Sequence, residues 1–204
     1  MAVLIHDPLF EPQVRAERDR QFPNNRDEVW EGVLVMAPQA NNEHQRIAGR
    51  LTAAFSVLVD WDAGDQAMPG CNISDRVKDW ASNFRAPDVA VYLSTTKARD
   101  CGTHWVGGPD LAVEIASPGE DPRQKLDFYA KVGTREVLIV DRDPWALELY
   151  QLQGAKLVLV GTSDAANSVV LASGVLPLTF ALRPAAPRPT IHLAHTANLQ
   201  TWVA

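Results

Sequence analysis

Two short apolar runs, each marked by one carboxylate, constrain the fold of this chain more than any other feature. The run 89–93 directly follows Asp88, and the run 111–116 holds Glu114 among Val, Ile and Leu. Apolar, β-rich runs bounded by proline, glycine and serine are typical of buried strands. A carboxylate in such a strand is strongly destabilising unless a charged or hydrogen-bonding group meets it. The sequence therefore predicts two buried strands of a sheet and a polar partner for Glu114.

The two carboxylates also predict a cation. If neighbouring strands bring Asp88 and Glu114 together, their negative charges repel each other unless a cation lies between them. Mg²⁺ prefers oxygen ligands and keeps several waters, so one or two carboxylates and a substrate phosphate are enough to bind it. A hard divalent ion is the expected occupant.

A helix is predicted directly after the Glu114 strand. The segment 120–133 has acids in its first turn, Pro122 early and a glycine at its end, which are helix start and stop signals. Lys125 and Tyr129 are four residues apart and therefore share one helical face. Lys125 can reach back toward the two carboxylates, where a lysine orients or activates an attacking water and stabilises charge on a phosphate.

Each of these residues also has a plain structural interpretation. Lys125 could be a solvated helix residue that pairs with Asp121. Tyr129 more often packs its ring in a core than takes part in catalysis. His44 could simply hydrogen-bond near a helix start, and the two histidines near the C-terminal end lack the other ligands of a zinc site.

The order of these parts resembles the PD-(D/E)XK nuclease superfamily and, within it, the Uma-two family of restriction-endonuclease-like proteins. The resemblance covers residues 28–152, and the segments that carry it are 29–38, 43–48, 86–91, 109–118 and 125–141. It implies an α/β (α+β) fold with a mixed central β-sheet flanked by helices. It also implies Mg²⁺-dependent endonuclease activity on DNA, with Mn²⁺ as an alternative ion.

Carried over residue by residue, the resemblance implies that Asp88 and Glu114 bind the metal and that Lys125 assists the water. In the superfamily the lysine usually lies two residues beyond the glutamate on the same strand, where this chain has Ala116. The family pattern places a lysine on the following helix instead, which fits Lys125. Glu43 matches a position on the first helix where an acid often completes such sites. Further candidates are Glu31, His44 and Tyr129.

The charge balance opposes a nucleic-acid partner. The chain has 19 Lys and Arg against 25 Asp and Glu, a net charge of -6, whereas dedicated nucleic-acid binders are usually basic. Local clusters can still contact phosphates. Those expected to do so are Arg15, Arg18 and Arg20, and Arg46 and Arg50. DNA is the expected partner, and a homodimer is expected because enzymes that cut a duplex often pair two sites.

Two other functions stay open. A catalytically inactive module that binds nucleic acid or protein would keep the nuclease fold without turnover, which Ala116 and the acidic balance favour. A phosphatase or another metal hydrolase would act on small substrates rather than on polymers.

The remaining pattern predicts how the chain is organised. We expect an N-terminal arm over 1–25 with a short helix near 13–21, a restriction-endonuclease-like domain over 26–182 and an extended tail over 183–204. The tail is expected because prolines are frequent between 176 and 189. Within the domain we expect a hairpin over 29–36 and a helix from Asn41 or Asn42 to about Trp61.

The same pattern bears on the cellular compartment. Two cysteines are too few for a disulfide framework. The first residues lack a basic and apolar leader pattern, and no window approaches the roughly 18 apolar residues of a membrane span. The expected location is the cytoplasm, without a membrane partner.

Overall fold

The computed structural model of the protein describes residues 3–7, 9–22, 26–37 and 39–204. Pro38, the last residue of the first segment that carries the family resemblance, lies outside the described residues. The same holds for residues 1, 2, 8 and 23–25 of the predicted arm.

The first half of the chain combines short strands with the two longer helices. In chain order its elements are β1 (Val3–Ile5), α1 (Glu11–Gln21), β2 (Glu28–Trp30), β3 (Val33–Met36), α2 (Asn42–Leu58), β4 (Gln66–Pro69), β5 (Ile73–Ser74), β6 (Phe84–Arg85), β7 (Val89–Tyr92), β8 (Arg99–Asp100) and β9 (Trp105–Val106). A 3₁₀ helix, Trp80–Ser82, precedes β6.

The second half is dominated by longer strands. Its elements are β10 (Leu111–Ile115), a 3₁₀ helix (Pro122–Lys125), α3 (Leu126–Lys131), β11 (Glu136–Arg142), β12 (Trp145–Gln153), β13 (Lys156–Asp164), β14 (Leu171–Ala172), β15 (Leu178–Arg183), β16 (Thr190–His195) and β17 (Thr201–Val203).

Six strands form a mixed central sheet in the order β13-β12-β11-β10-β7-β4. Only β10 and β11 run parallel, and the other neighbours are antiparallel. Side chains alternate between the two faces, so Val113 and Leu138 pack with α2 while Ala112 and Val137 pack with α3. The two helices therefore lie on opposite faces, and the predicted fold class is confirmed.

Helix α2 begins where the sequence predicts. The side chain of Asn41 accepts a hydrogen bond of 2.9 Å from the amide of His44, which satisfies a free donor of the first turn. The apolar stripe that includes Ile47, Leu51 and Phe55 is buried against the central sheet. The helix ends at Leu58, before the expected Trp61, and its first turn carries His44 toward the end of β10.

A second sheet of seven strands has the order β1-β3-β2-β6-β5-β9-β8. Strands β2 and β3 form the predicted hairpin, and its turn residues Glu31 and Gly32 both have positive φ, 47° and 84°. Such a backbone matches the right-handed twist of the paired strands. The predicted short helix of the arm is present as α1, and β1 ties the arm to the hairpin by pairing with β3.

The predicted helix over 120–133 needs a correction. Asp121 caps a tight 3₁₀ turn by accepting a hydrogen bond from the amide of Arg123, and the α-helical geometry starts only at Leu126. Lys125 is therefore the residue before α3, and its side chain and that of Tyr129 still lie on the same side, because both donate hydrogen bonds to Glu114. A glycine with φ of 83° follows the helix, as its end signal predicts.

The expectation of an extended tail over 183–204 is wrong. Strands β14 to β17 form a four-stranded antiparallel sheet that packs on α2, with the Phe55 and Phe180 rings edge to face at 6.3 Å. Prolines 184, 187 and 189 all lie between β15 and β16, so they shape a connection and interrupt neither strand. After them, Ile191 and Leu193 alternate with less buried residues and enter the core.

Two further observations concern the described chain as a whole. Cys71 and Cys101 are both free thiols. Among the described residues, no helix has the length and apolar character needed to cross a bilayer.

The role of the C-terminal sheet can be tested with a matched pair of leucines. Leu193 in β16 is 1% exposed, whereas Leu199 in the following turn is 99% exposed. We expect Leu193→Ala to lower the free energy of unfolding by about 2–5 kcal/mol, because it leaves a cavity in the main core. Urea denaturation measures it, and Leu199→Ala should stay within about 0.5 kcal/mol of the wild type. Equal effects would mean that this sheet is not part of the core.

Candidate active site

A cleft of about 270 Å³ lies where the central sheet meets the β1-β3-β2 part of the second sheet. Its walls come from these strands, from the first turn of α2, and from the segment between β10 and α3. Titratable side chains are concentrated here, and carboxylates outnumber cations. The carboxylates are Glu28, Asp88, Glu114, Glu120 and Asp121, and the basic groups are Arg26, His44 and Lys125.

Asp88 is held from three sides at the start of β7. Its Oδ1 accepts hydrogen bonds from His44 Nε2 at 2.7 Å and from Arg26 Nη1 at 2.9 Å, and its Oδ2 accepts from the Ile115 amide at 2.8 Å. Burial opposes the charged form, but the hydrogen bonds to His44 and Ile115 outweigh it, so the pKa of Asp88 is lowered. Asp88 is a fixed, ionised carboxylate.

Glu114 in β10 has the polar partners that its buried position requires. Its Oε2 accepts a hydrogen bond from Lys125 Nζ at 2.9 Å, and its Oε1 accepts one from the Tyr129 hydroxyl. Burial, together with the negative charges of Glu28 and Asp88 and against the opposing effect of Lys125, raises the pKa of Glu114 to about 7. The cleft thus carries negative charge that its own cations do not fully offset.

Lys125 joins two carboxylates. Its Nζ lies 2.9 Å from Glu28 Oε1 and 2.9 Å from Glu114 Oε2, and its side chain is 17% exposed. Burial lowers the pKa of Lys125, but the two carboxylates reverse that effect and hold the pKa above its ordinary value. Lys125 is therefore a cation of the cleft, and its interpretation as a solvated partner of Asp121 is wrong.

Sequence reasoning missed Glu28, the third partner in this cluster. Glu28 is 4% exposed at the start of β2. Its Oε1 also accepts from the Ala86 amide at 2.8 Å, and its Oε2 accepts from Trp30 Nε1 at 2.7 Å. An acid at the edge of a half-buried hairpin strand is an ordinary pattern, so no local signal marked it. Glu120 was missed as well, and burial raises its pKa.

The four additional candidates fall into two pairs. His44 lies in the cleft, with Nε2 on Asp88 and Nδ1 at 3.4 Å from Ser117 Oγ, and Tyr129 reaches the cluster through Glu114. The other two, Glu43 and Glu31, lie outside the cleft lining.

Ion pairs explain the position of the two excluded acids. Glu43 pairs with Arg142 at 3.3 Å and Arg188 at 3.1 Å. The side chain of Glu31 is 63% exposed in the hairpin turn and pairs with Arg76 at 3.3 Å. The structure does not bring either carboxylate to Asp88 or Glu114.

The chemistry of the donor set fits a divalent ion shared with a substrate. In the parts of the chain that the structure describes, no group of three or more His, Cys, Asp and Glu side chains is arranged to hold a metal by itself. Mg²⁺ needs only one or two carboxylates when waters and a phosphate complete its shell. Asp88 and Glu114 supply such oxygens in a cleft with an excess of carboxylates.

Arginine clusters expected to contact phosphates differ in their pairing. Arg15 lies 3.7 Å from Glu11, Arg18 is 2.6 Å from Asp27 and Arg20 is 2.7 Å from Glu17, so the first cluster is neutralised by its own neighbours. The second cluster, Arg46 and Arg50, is exposed on α2.

Comparison with known proteins gives a family and a fold. The family model Uma2, described as "Putative restriction endonuclease", matches residues 16–184. The crystal structure of a "putative nuclease belonging to DUF820" from Anabaena variabilis ATCC 29413 has a similar fold, with a TM-score of 0.57 and 17% sequence identity. The match covers 72% of this chain and 80% of that one. None of the curated proteins matches this chain. The resemblance expected from the sequence is confirmed.

The raised pKa of Glu114 predicts a specific pH dependence. Because folding raises this pKa from 4.5 to about 7, ionised Glu114 opposes folding, and its effect on stability grows as pH rises through that range. We expect Glu114→Gln to gain about 1–3 kcal/mol relative to the wild type between pH 5 and pH 8. Urea denaturation without divalent ions measures this change. The exposed Glu31→Gln is the control, and a difference that does not vary with pH would contradict the prediction.

Proposed function

The chain belongs to the Uma2 family, and on that premise we propose that it is a Mg²⁺-dependent endonuclease that hydrolyses phosphodiester bonds in DNA. The observation that carries the proposal is the meeting of Asp88, Glu114 and Lys125 in one cleft, with Lys125 Nζ 2.9 Å from Glu114. A homodimer and a cytoplasmic location stay predictions from the sequence.

Asp88 and Glu114 are the residues that would hold Mg²⁺ or Mn²⁺. When bound, such an ion lowers the pKa of a coordinated water and polarises a phosphate oxygen. Arg26 and His44 orient Asp88, and the Tyr129 hydroxyl orients Glu114. Because Asp88 and Glu114 are anchored to adjoining strands, their carboxylates keep their relative position.

Lys125 has an electrostatic role in this proposal. Its raised pKa keeps it protonated at neutral pH, so it donates hydrogen bonds and does not take a proton from water. A fixed cation in a largely buried cleft stabilises negative charge that develops on a phosphate. Glu28 and Glu114 hold the ammonium group in place for that purpose.

Glu120 is a suitable acceptor for the proton of the attacking water. It lines the cleft, and within the described chain its carboxylate has no hydrogen-bonded or ion-paired partner. Burial raises its pKa, with further contributions from Glu28 and Asp88 against the effect of Lys125. A carboxylate with raised proton affinity is better matched to general base catalysis near neutral pH.

A module without turnover is the second candidate, and one observation favours it. Each carboxylate oxygen of Asp88 and Glu114 already accepts a hydrogen bond from the protein. A metal would have to compete with Arg26 and Lys125 for these oxygens. If these bonds persist, the cleft binds a ligand without activating water.

Activity measurements with matched variants test the nuclease proposal. Supercoiled and single-stranded DNA are incubated with Mg²⁺ or Mn²⁺ and the purified chain. We expect Glu114→Gln and Lys125→Met each to lower the rate of cleavage by about 100-fold or more, because each removes a charged group of the cleft. The controls Glu43→Gln and Lys131→Met alter side chains that lie outside the cleft and should retain nearly full activity. Cleavage that survives in all four variants would exclude this site.

Metal binding separates the two candidates. We expect isothermal titration with Mn²⁺ to give a heat of binding for the wild type that Asp88→Asn abolishes, since the amide cannot replace the charged ligand. The control Asp127→Asn changes an exposed acid of α3. DNA binding by the wild type without any metal-dependent heat would favour the module.

A further inference from the structure

We infer that the cleft accepts one unpaired nucleotide, so that the protein acts on single-stranded DNA or on single-stranded segments and not on an intact duplex. This inference rests on the proposed function, because it specifies the strand on which hydrolysis takes place. It concerns the part of the cleft wall beside the carboxylates, formed by Trp30, Leu4, Val35 and Ala37 together with three glutamines.

Trp30 is fixed beside the charged groups by one shared residue. Its Nε1 donates to Glu28 Oε2 at 2.7 Å, while Glu28 Oε1 accepts from Lys125 Nζ at 2.9 Å. The guanidinium of the buried Arg85 lies 4.5 Å from the centre of the Trp30 ring and restrains it further. The ring is thus held next to the cation proposed to face the phosphate. Arg85 covers one face of this fixed ring, and the opposite face is the surface on which a base can stack.

The remainder of this wall suits a nucleobase. Leu4, Val35 and Ala37 contribute apolar surface, and Leu4 is 53% exposed although it is apolar. Gln39, Gln45 and Gln124, each with a side-chain amide, also line the cleft. Amides both donate and accept hydrogen bonds, so they can pair with the polar edge of a base whose faces contact the apolar residues. A site that bound only a metal ion and a phosphate would not need apolar residues and glutamines in its wall.

The size of the cleft limits the occupant to a single unit. A volume of about 270 Å³ lies near the lower end of pockets that enclose one small molecule, about 300–1,000 Å³. A base inside a duplex is stacked and paired, and it must be extruded before it can enter such a pocket. An unpaired nucleotide avoids both the unstacking and the unpairing.

The pairing of the cations also favours an unpaired strand. A duplex carries more phosphate charge per unit length than a single strand, so duplex binding without base contacts depends more strongly on cations that neutralise phosphates. Among the residues that line the cleft, the Lys and Arg side chains are Arg26 and Lys125, and both are engaged with carboxylates. Stacking on Trp30 does not depend on free cations, and it is available to a base that has left its stack.

Fluorescence anisotropy without divalent ions tests the inference, since binding is then measured without cleavage. The probes are a labelled single-stranded oligonucleotide and the blunt duplex of the same sequence. We expect the wild type to bind the single strand at least about tenfold more tightly than the duplex, and Trp30→Leu to weaken single-strand binding about tenfold or more. Trp30→Phe keeps an aromatic ring and should retain part of the affinity. Trp61→Leu is the matched control, because Trp61 is 54% exposed and lies outside the cleft.

The outcomes separate this inference from the proposed function. Equal or tighter binding of the duplex, or equal effects of Trp30→Leu and Trp61→Leu in proteins with unchanged circular dichroism, would overturn the inference. If both DNA forms are cut alike and Glu114→Gln abolishes cutting, the nuclease proposal stands and the strand preference falls. If neither DNA form is cut, the nuclease proposal falls together with the claim about which strand is hydrolysed, and the binding preference then decides only whether the cleft accepts an unpaired nucleotide.

Discussion

The ammonium group of Lys125 between Glu28 and Glu114 is the interaction on which the cleft depends. Glu28 belongs to the second sheet and Glu114 to the central sheet, so one cation joins both sheets to the segment before α3. Without it, two largely buried carboxylates would face each other unneutralised, which is strongly destabilising. The same contact places a cation in the cleft that we propose binds a phosphate. Stability and proposed chemistry therefore rest on one contact.

Asp88 forms the second junction of the cleft. It connects the first turn of α2 through His44, the segment before β2 through Arg26, and β10 through the Ile115 amide. Register adds to this arrangement, because alternate residues of β10 face opposite sides of the central sheet. Val113 enters the core under α2, while Glu114 points toward Tyr129 on the α3 side. The C-terminal sheet packs on α2 and buries that side of the core. The cleft lies at the end of the central strands, beside Asp88 and Glu114.

The sequence was informative where the signal is local. Runs of apolar residues located β7 and β10, Asn41 located the start of α2, and the alternation of apolar and polar residues over 29–36 located the first hairpin. A buried carboxylate needs a polar partner, and the sequence offered Lys125 as a group that can reach Glu114. In the structure Lys125 Nζ lies 2.9 Å from Glu114 Oε2. Between the neighbouring candidates Glu43 and His44, the sequence favoured Glu43 as a site residue. Adjacent helical residues point about 100° apart, so a small error in the helix orientation exchanges the two. One of them enters the cleft and the other pairs with Arg142 and Arg188.

By itself, the sequence determined the buried strands and the helix start, because periodicity and capping act over a few residues. Its resemblance to the family implied the three groups Asp88, Glu114 and Lys125 as site residues. The tertiary structure alone decided that Glu28 meets Lys125 across 97 positions of the chain and that Trp30 stands beside it. It also decided that the proline-rich C-terminal segment returns as a packed sheet. Contacts between distant segments depend on how whole sheets pack, and that packing leaves no mark in the neighbouring residues of either partner.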